Sequence, residues 1–275
     1  MNCSVVVFQV EQEWVPHSAS SSLYIRPTMI GTEPTLGVAA ATTAELFVLL
    51  SPTGPYFATG LKPVNLLADP RYVRAWPGGS GYSKMGSNYA PTLWISQIAA
   101  QHNCQQALWL FGPDEEITEV GAMNIFAFFQ HSDGRKELVT PSLDSGLILP
   151  GVTRQSVLEL AQEWNEFDIS ERKLTIHEVL EGAKTGSLLE MFGTGTAAIV
   201  CPVGNIFYDG EMKALPVPNE DKSLAERILK TLSDIYYGQV EHPWAINIED
   251  WKLTQEEQVR INSFQDSLLQ RMNAN

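Results

Sequence analysis

The stretch GGSGYSKMGSNYAP, residues 78–91, contains one charged side chain, Lys84, among small, neutral and aromatic residues. Along the chain, the nearest Asp, Glu, Lys or Arg residues are Arg74 before it and Asp114 after it. A lysine amine is a nucleophile only after it has lost its proton, and it does so more easily away from carboxylates and water. The pattern therefore indicates either a reactive amine in a desolvated pocket or a polar loop that happens to lack charges.

Two further side chains could serve such an amine. An amine condenses with an aldehyde cofactor, and the phenol of Tyr89, close in sequence to Lys84, could hydrogen-bond the ring oxygen of that cofactor. Glu119 lies in the apolar run ITEVGAMNIF, residues 117–126. Because a buried carboxylate is costly unless it is paired, a cationic ring nitrogen would be a suitable partner for Glu119. The alternative is an exposed acid at the end of a strand, next to two other glutamates.

Two glycine-containing segments could bind an anion. LPGVTR, residues 149–154, reads as a turn that enters a helix, where free backbone N–H groups and the Thr153 hydroxyl would suit a phosphate. Thr153 could equally be an ordinary N-cap. In FGTGTAAIV, residues 192–200, glycines would let the backbone approach a ligand, and threonine hydroxyls could face an anion. This second pattern is weak, and it is not a dinucleotide fingerprint.

The elements that must position these residues alternate between strand and helix without an internal repeat. Apolar runs predict strands at 46–52 and 107–111, and a hairpin that pairs 124–130 with 137–140. Apolar residues at helical spacing predict helices at about 89–101, 153–165, 177–185 and 223–237. A polar amphipathic helix is predicted near the C-terminus, at 253–272. The predicted fold class is α/β.

The composition excludes several classes of function. The chain has 275 residues and a formal net charge of −14, which argues against binding a nucleic-acid backbone. No apolar run reaches the length of about 18 residues that a membrane span needs, so no membrane association is expected. The five histidines and three cysteines show no metal-ligand spacing, so no metal site is predicted. We expect a soluble, intracellular, acidic protein.

Five segments in this order resemble the branched-chain amino-acid aminotransferases, pyridoxal-phosphate enzymes of fold type IV. They are SLYIRPTMIGTEPTLGV (22–38), YVRAWPGGSGYSKMGSNYAP (72–91), WLFGPDEEITEVGAMNIF (109–126), LILPGVTRQSVLELA (147–161) and EMFGTGTAAIVCPV (190–203). The resemblance implies a nearly complete large cofactor-binding α/β domain at 36–248. It also implies the remnant of a small α/β domain at 1–35, and it leaves a polar C-terminal extension at 249–275.

The resemblance assigns the chemistry to three residues. Lys84 matches the lysine that holds pyridoxal 5′-phosphate covalently and later moves a proton at the substrate Cα. Tyr89 matches the tyrosine that hydrogen-bonds the ring hydroxyl, and Glu119 matches the acid that faces the pyridine nitrogen. A protonated ring nitrogen makes the cofactor an electron acceptor.

The remaining matches surround the cofactor or the substrate. The residues that match positions near the cofactor ring and phosphate are Arg74, Leu149, Val152, Thr153 and Thr196. The residues that match substrate-binding positions are Tyr24, Arg26, Thr196 and Ala197.

The resemblance implies transfer of the amino group of leucine, isoleucine or valine to 2-oxoglutarate by a cytoplasmic homodimer, with a mitochondrial location as the alternative. Only VEQEWVP, residues 10–16, looks familiar before the first matching segment, where the family has a small domain. A second reading is therefore a truncated, poorly active or inactive cofactor-binding remnant that pairs with full-length subunits. A third is another fold type IV enzyme, such as a D-amino-acid transaminase or an aminodeoxychorismate lyase.

Overall fold

The computed structural model describes residues 11–18, 21–54, 62–245 and 255, and these residues form two compact units. The first unit takes in the described residues up to Gly54 and those from Ser233 onward. The second unit comprises the described residues between Pro55 and Leu232.

The first unit contains an antiparallel hairpin of β1 (Ser22–Gly31) and β2 (Ala44–Thr53). The strand predicted at 46–52 lies within β2, so that prediction is confirmed. Because β1 and β2 are paired, the domain boundary expected at residue 35 falls in the connection between two partners, and the division into domains stays a prediction. The amphipathic helix predicted at 253–272 lies outside the described residues apart from Gln255.

The second unit is built on a nine-stranded mixed sheet. Its strands are β3 (Val64–Ala68), β4 (Gln106–Phe111), β5 (Glu116–Val120), β6 (Asn124–Gln130), β7 (Lys136–Thr140), β8 (Asp168–Glu171), β9 (Leu188–Gly195), β10 (Ile199–Tyr208) and β11 (Glu211–Ala214). The order is β5-β4-β3-β10-β9-β6-β7-β8, and β11 pairs with β10. Pairs β3/β4, β3/β10 and β7/β8 are parallel, and the other pairs are antiparallel.

The described helices are α1 (Thr92–Gln101), α2 (Val152–Trp164), α3 (Ile176–Thr185) and α4 (Leu224–Tyr236). Local sequence determines the ends of α3. The hydroxyl of the N-cap Thr175 accepts from the backbone N–H of Glu178, and Gly186 ends the helix with φ 80°. All four helices lie within a few residues of the predicted ranges. No helix among the described residues is long and apolar enough to cross a bilayer.

Strand β6 lies in the middle of the core. Its residues from Asn124 to Phe129 are all buried, which is typical of a strand covered on both faces. Phe126 stacks on Phe192 of β9, with ring centroids 5.4 Å apart. The predicted pairing of 124–130 with 137–140 is confirmed as the β6–β7 hairpin.

Strand β9 was missed because two glycines near its end were interpreted as a ligand-binding loop. A Cβ atom on Gly193 would lie 2.9 Å from Val120 Cγ1, and one on Gly195 would lie 3.1 Å from Met123 Cγ. Glycine at these two positions therefore allows the end of β5 and the turn after it to pack closely on β9.

Candidate functional site

The segment that carries Lys84 connects β3 to α1 and is held by a buried amide. The side-chain nitrogen of Asn88 donates to the carbonyl oxygens of Ser80 and Ser83, at 2.7 Å each. Its side-chain oxygen accepts from the Ser80 hydroxyl at 2.9 Å. A single 3₁₀ turn, Gly86–Asn88, then leads toward α1. The lysine therefore lies on an irregular segment that is fixed by side-chain contacts.

The Lys84 side chain is exposed, and its Nζ lies 5.6 Å from the centroid of the Tyr89 ring. The expectation of a desolvated amine without a carboxylate neighbour is therefore wrong. Glu119, which is remote in sequence, is close enough for the lysine charge to act on its titration. The absence of charged residues from a sequence segment therefore does not predict which charged side chains lie near that segment in the folded chain.

Glu119 is buried in β5, with 3% of its surface exposed, so it is not an exposed strand-end acid. Its Oε2 lies 3.1 Å from Nε of Arg74, an ion pair in which both side chains are almost fully enclosed. Its Oε1 accepts a hydrogen bond from the backbone N–H of Leu149 at 2.7 Å. The Glu119 carboxyl group thus contacts both Arg74, which follows β3 in the chain, and Leu149, in the segment that leads to α2.

Burial raises the pKa of Glu119 to about 7, although Arg74, the Leu149 N–H and Lys84 all act to lower it. Near neutral pH this group therefore exchanges between carboxylic acid and carboxylate. A poised, buried acid next to an exposed amine is typical of a functional site. It is also a suitable partner for a basic ring nitrogen, because one proton can be shared between the two.

Arg74 fixes the segments around Glu119. Its Nη2 donates to the carbonyl oxygen of Gly81 at 3.0 Å and also to that of Leu147. A Cβ atom on Gly81 would lie 2.7 Å from the Leu147 oxygen, so glycine is required for this close approach. The guanidinium therefore ties the lysine segment to the segment that precedes α2.

The N-terminus of α2 is open to an anion. Its N-cap is Gly151, which offers no side-chain cap, and the first helical hydrogen bond runs from Gln155 N–H to Gly151 O at 3.0 Å. The N–H groups of residues 152–154 precede that bond and have no helical acceptor. Thr153 is the second helical residue and is buried, so the alternative that it is the N-cap is wrong. Val152 is 80% exposed, and Leu149 is half-buried.

A buried hydroxyl lies on the sheet near this helix end. Thr194 is 1% exposed, and its Oγ1 has no hydrogen-bond partner among the described residues. It pairs across the sheet with Asn124, whose side chain donates to the carbonyl oxygen of Leu149 at 2.8 Å. Opposite residues of an antiparallel pair project from the same face, so the hydroxyl faces the same side as the entry to α2. An unsatisfied buried hydroxyl is costly and is typical of a site for a polar ligand.

The turn between β9 and β10 carries Thr196 and Ala197, and both are exposed. Ile199, the first residue of β10, has φ 58°, which is unusual for a β-branched residue. The structure therefore presents the predicted substrate-binding turn at the surface of the second unit, and its role stays a prediction.

Tyr24 and Arg26 belong to the first unit and lie on the same face of β1. The Arg26 guanidinium is 4.9 Å from the centroid of the Tyr24 ring, and its Nη2 donates to the Tyr24 hydroxyl. The structure thus brings these two predicted substrate-binding residues together, and their function stays a prediction.

The second unit brings together most of what a phosphorylated pyridine aldehyde would need. It offers an amine at Lys84, a buried acid at Glu119, an uncapped helix N-terminus and the unpartnered hydroxyl of Thr194. These residues therefore fit such a group. Among the same described residues, no group of three or more His, Cys, Asp or Glu side chains is placed to hold a metal ion.

The sequence profile of the amino-transferase class IV family matches residues 9–206, which is most of the chain. The chain belongs to the amino-transferase class IV family. It is 53% identical over 249 residues to the cytosolic branched-chain-amino-acid aminotransferase of Mus musculus, covering 90% of this chain and 64% of the mouse protein. It is 50% identical over 249 residues to the mitochondrial enzyme of Bos taurus, covering 90% of this chain and 63% of the bovine protein.

The chain thus spans less than two thirds of the length of these class IV relatives. A crystal structure of the branched-chain amino acid aminotransferase from Thermobaculum terrenum, in its PLP form, superimposes with a TM-score of 0.64. That superposition has 20% identity and covers 87% of this chain and 70% of the other. This likeness establishes the fold type IV architecture.

Two residues near the start of α2 were given no individual role from the sequence. Thr194 was noted only as one of the threonines of FGTGTAAIV whose hydroxyls could face an anion, and Asn124 was not noted, although each lies within a segment that resembles the family. A signal was available for Asn124, because it is the one polar residue at the start of the apolar strand NIFAFF. The glycine-threonine pattern around Thr194 is a weaker signal, because threonine is common in exposed strands and turns and the pattern does not show that this hydroxyl is buried.

Proposed function

We propose that this chain is a pyridoxal-phosphate-dependent branched-chain amino-acid aminotransferase. The observation that carries the proposal is the position of Glu119, a buried acid with a pKa of about 7 that lies close enough to Lys84 for the lysine charge to lower that pKa, and that accepts from the Leu149 N–H. The same carboxyl group thus lies between a candidate nucleophile and a candidate phosphate site. The names of the mouse and bovine relatives supply the substrate class.

When bound, pyridoxal 5′-phosphate supplies an electrophilic aldehyde and a ring that accepts the electron pair released at the substrate Cα. Lys84 Nζ would hold the aldehyde carbon of the cofactor and would act as the base for the substrate Cα proton. Tyr89 would orient the ring through its hydroxyl, and Glu119 would hold a proton at the ring nitrogen. Arg74 holds Glu119 in place from the other side.

The phosphate is assigned to the start of α2 and the end of β9. Backbone N–H groups at Val152 and Thr153, together with the hydroxyls of Thr153 and Thr196, would carry it, and Leu149 would border the ring. Thr196 and Ala197 would also contact the substrate carboxylate, with Tyr24 and Arg26 contributing substrate recognition. These roles follow the resemblance, and the uncapped helix end and the buried Thr194 hydroxyl support them.

The proposed reaction moves the amino group of leucine, isoleucine or valine to 2-oxoglutarate in two half-reactions. Relatives with cytosolic and mitochondrial names both exist, so we propose a cytoplasmic location with a mitochondrial one as the alternative. A homodimer is proposed on the same resemblance.

The test begins with the purified chain and pyridoxal 5′-phosphate. Borohydride reduction followed by peptide mass spectrometry should find the cofactor attached to Lys84, and the attachment should be lost in Lys84→Ala. The matched control is Lys173→Ala, because Lys173 is exposed and paired only with Glu116, at 3.0 Å. Attachment to another lysine would contradict the assignment of the nucleophile.

The substrate class is tested by following the visible absorbance of the loaded chain. Leucine should convert the bound cofactor to its aminated form, and 2-oxoglutarate should reverse that change. A response to D-alanine or aminodeoxychorismate instead of leucine would favour another fold type IV reaction. Covalent loading without any response to leucine would favour a cofactor-binding protein without aminotransferase activity.

A further inference from the structure

The backbone N–H and carbonyl of Leu149 are both held by buried side chains, one from β5 and one from β6, which are consecutive in the chain. Its N–H donates to Glu119 Oε1 at 2.7 Å, and its carbonyl oxygen accepts from Asn124 Nδ2 at 2.8 Å. Glu119 is 3% exposed and Asn124 is 6% exposed, so both contacts are shielded from water. Two residues after Leu149, Gly151 is the N-cap of α2.

Asn124 also contacts the N-cap itself. A Cβ atom built on Gly151 would lie 2.1 Å from Asn124 Oδ1, and its next contact outside Asn124 would be Arg154 Cβ at 3.7 Å. Gly151 has φ −69° and ψ 137°, a conformation that any residue adopts. A side chain at residue 151 would therefore displace the Asn124 amide, whereas the backbone conformation there does not itself need glycine.

We infer that Asn124 is a positioning residue that fixes the phosphate-binding end of α2 relative to Glu119, an inference that rests on the proposed function. Through its amide Asn124 holds the Leu149 carbonyl and touches Gly151, and Glu119 holds the N–H of the same residue, Leu149. The distance between the site for the ring nitrogen and the site for the phosphate is thereby set by one rigid segment. Asn124 itself need not touch the cofactor.

Such a role makes a prediction that a purely structural role does not. If Asn124 only stabilised the fold, its loss would lower the melting temperature and change the binding of all ring ligands to the same extent. If it positions α2, its loss weakens the binding of pyridoxal 5′-phosphate more than that of pyridoxal, which has the same ring and no phosphate. The decisive readout is therefore the ratio of the two dissociation constants.

The experiment measures both dissociation constants, by absorbance titration, for the full chain and for three variants. Asn124→Ala removes the amide, Gly151→Ala displaces it, and the third variant combines the two changes. Each single change should weaken pyridoxal 5′-phosphate binding by about 5- to 10-fold, the value of about one hydrogen bond. Pyridoxal binding should change by less than about 2-fold, and the control Asn205→Ala, which removes an amide contact to Asn65, should change neither.

The double variant gives the sharpest result. Once Asn124 is alanine, the atom that would clash with a Cβ at residue 151 is gone, so Gly151→Ala should cost nothing further. Gly151→Ala leaves Asn124 in the chain, so the test stands even if Asn124→Ala does not fold.

Two results would overturn the inference while leaving the proposed function intact. One is an equal loss of affinity for pyridoxal and pyridoxal 5′-phosphate in Asn124→Ala and Gly151→Ala. The other is a full additional cost of Gly151→Ala in the Asn124→Ala background. If the unmodified chain binds pyridoxal 5′-phosphate no better than pyridoxal, the proposed function fails and this inference fails with it.

Discussion

Two buried glutamates of the same sheet each lie next to an arginine, yet their pKa values are shifted in opposite directions. Glu119 on β5 is 3% exposed and lies beside Arg74, and Glu137 on β7 is 7% exposed and lies beside Arg172. The pKa of Glu119 is raised to about 7, whereas that of Glu137 is lowered to about 2. An arginine neighbour is therefore not enough to determine the charge of a buried acid.

The difference lies in the number of donors that each carboxylate receives. Burial is the largest influence on the pKa of both groups and acts to raise it. At Glu137 it is outweighed by hydrogen bonds from Arg172 Nε and Nη2, at 3.3 Å each, together with Ser170 and the His131 contact at 2.9 Å. Glu119 receives one backbone N–H, and the Nη2 donor of Arg74 is directed to carbonyl oxygens instead.

This contrast separates a stabilising pair from one that is proposed to be functional. Glu137 is fully ionised at neutral pH and strengthens the fold, whereas the partial ionisation of Glu119 at the same pH weakens it. A buried acid whose pKa is held near neutral pH at a cost in stability is typical of an active site. Proteins tolerate such sites because stronger contacts elsewhere, such as those of Glu137, compensate.

Removing the arginine from the stabilising pair should have the largest effect on stability. Arg172→Ala leaves Glu137 buried without its main donors and also removes the contact with Glu178, so the free energy of unfolding should fall by roughly 3 kcal/mol. The matched control is Arg135→Ala, because Arg135 and its partner Asp168 are both about half exposed. That change should cost less than about 1 kcal/mol, as measured by urea unfolding. Equal losses would contradict the importance attached to the Glu137 cluster.

The pH dependence of stability should have opposite signs at the two glutamates. The folded pKa of Glu119 is raised from 4.5 to about 7. Its contribution to stability is therefore complete below about pH 4.5 and is lost as the pH rises through 7, a change of about 3 kcal/mol in the cofactor-free chain. Glu119→Gln should abolish this loss, so that the variant gains stability relative to the unmodified chain between pH 4.5 and 7.

At Glu137 the sign is reversed, because the folded pKa is lowered from 4.5 to about 2. The contribution of Glu137 is present above pH 4.5 and is lost as the pH falls toward 2. Urea unfolding of the unmodified chain, Glu119→Gln and Glu137→Gln across this range would measure both slopes. Parallel pH profiles for the two variants would show that the two acids do not differ in the way described.

The comparison of Glu119 with Glu137 also separates the structural features that the sequence predicts from those that depend on nonlocal contacts. The β6–β7 hairpin, the four helices and the residues around Lys84 follow from local patterns and ordered motifs. The pairing of Glu119 with Arg74 does not, because it depends on a sheet in which β3 lies between β4 and β10. The same nonlocal arrangement places Glu119 near Lys84 and brings Asn124 to the start of α2. Spatial neighbours that come from different strands have no signature in a single sequence.

The rate of the half-reaction with leucine should depend on Glu119 and not on Glu137. Glu119→Gln removes the group that is proposed to hold a proton at the ring nitrogen, so the rate of the half-reaction with leucine should fall by about 100-fold. Glu137→Gln should leave that rate within about 3-fold, measured by stopped-flow absorbance with both variants fully loaded with cofactor. A loss of similar size in both variants would assign the effect of Glu119→Gln to the fold and not to the chemistry.

The smallest expected effect tests whether the number of donors is the right explanation. His131→Ala removes one of the contacts to Glu137 and leaves Arg172 in place, so the unfolding free energy should fall by about 1 kcal/mol at pH 7. The control is His177→Ala, because His177 also contacts a glutamate, Glu115 at 3.2 Å, but is 63% exposed. Its loss should cost less than about 0.5 kcal/mol, since water replaces an exposed contact. If the two changes cost the same, burial of the histidine would not amplify the value of its contact, and the low pKa of Glu137 would have to be attributed to Arg172 and Ser170.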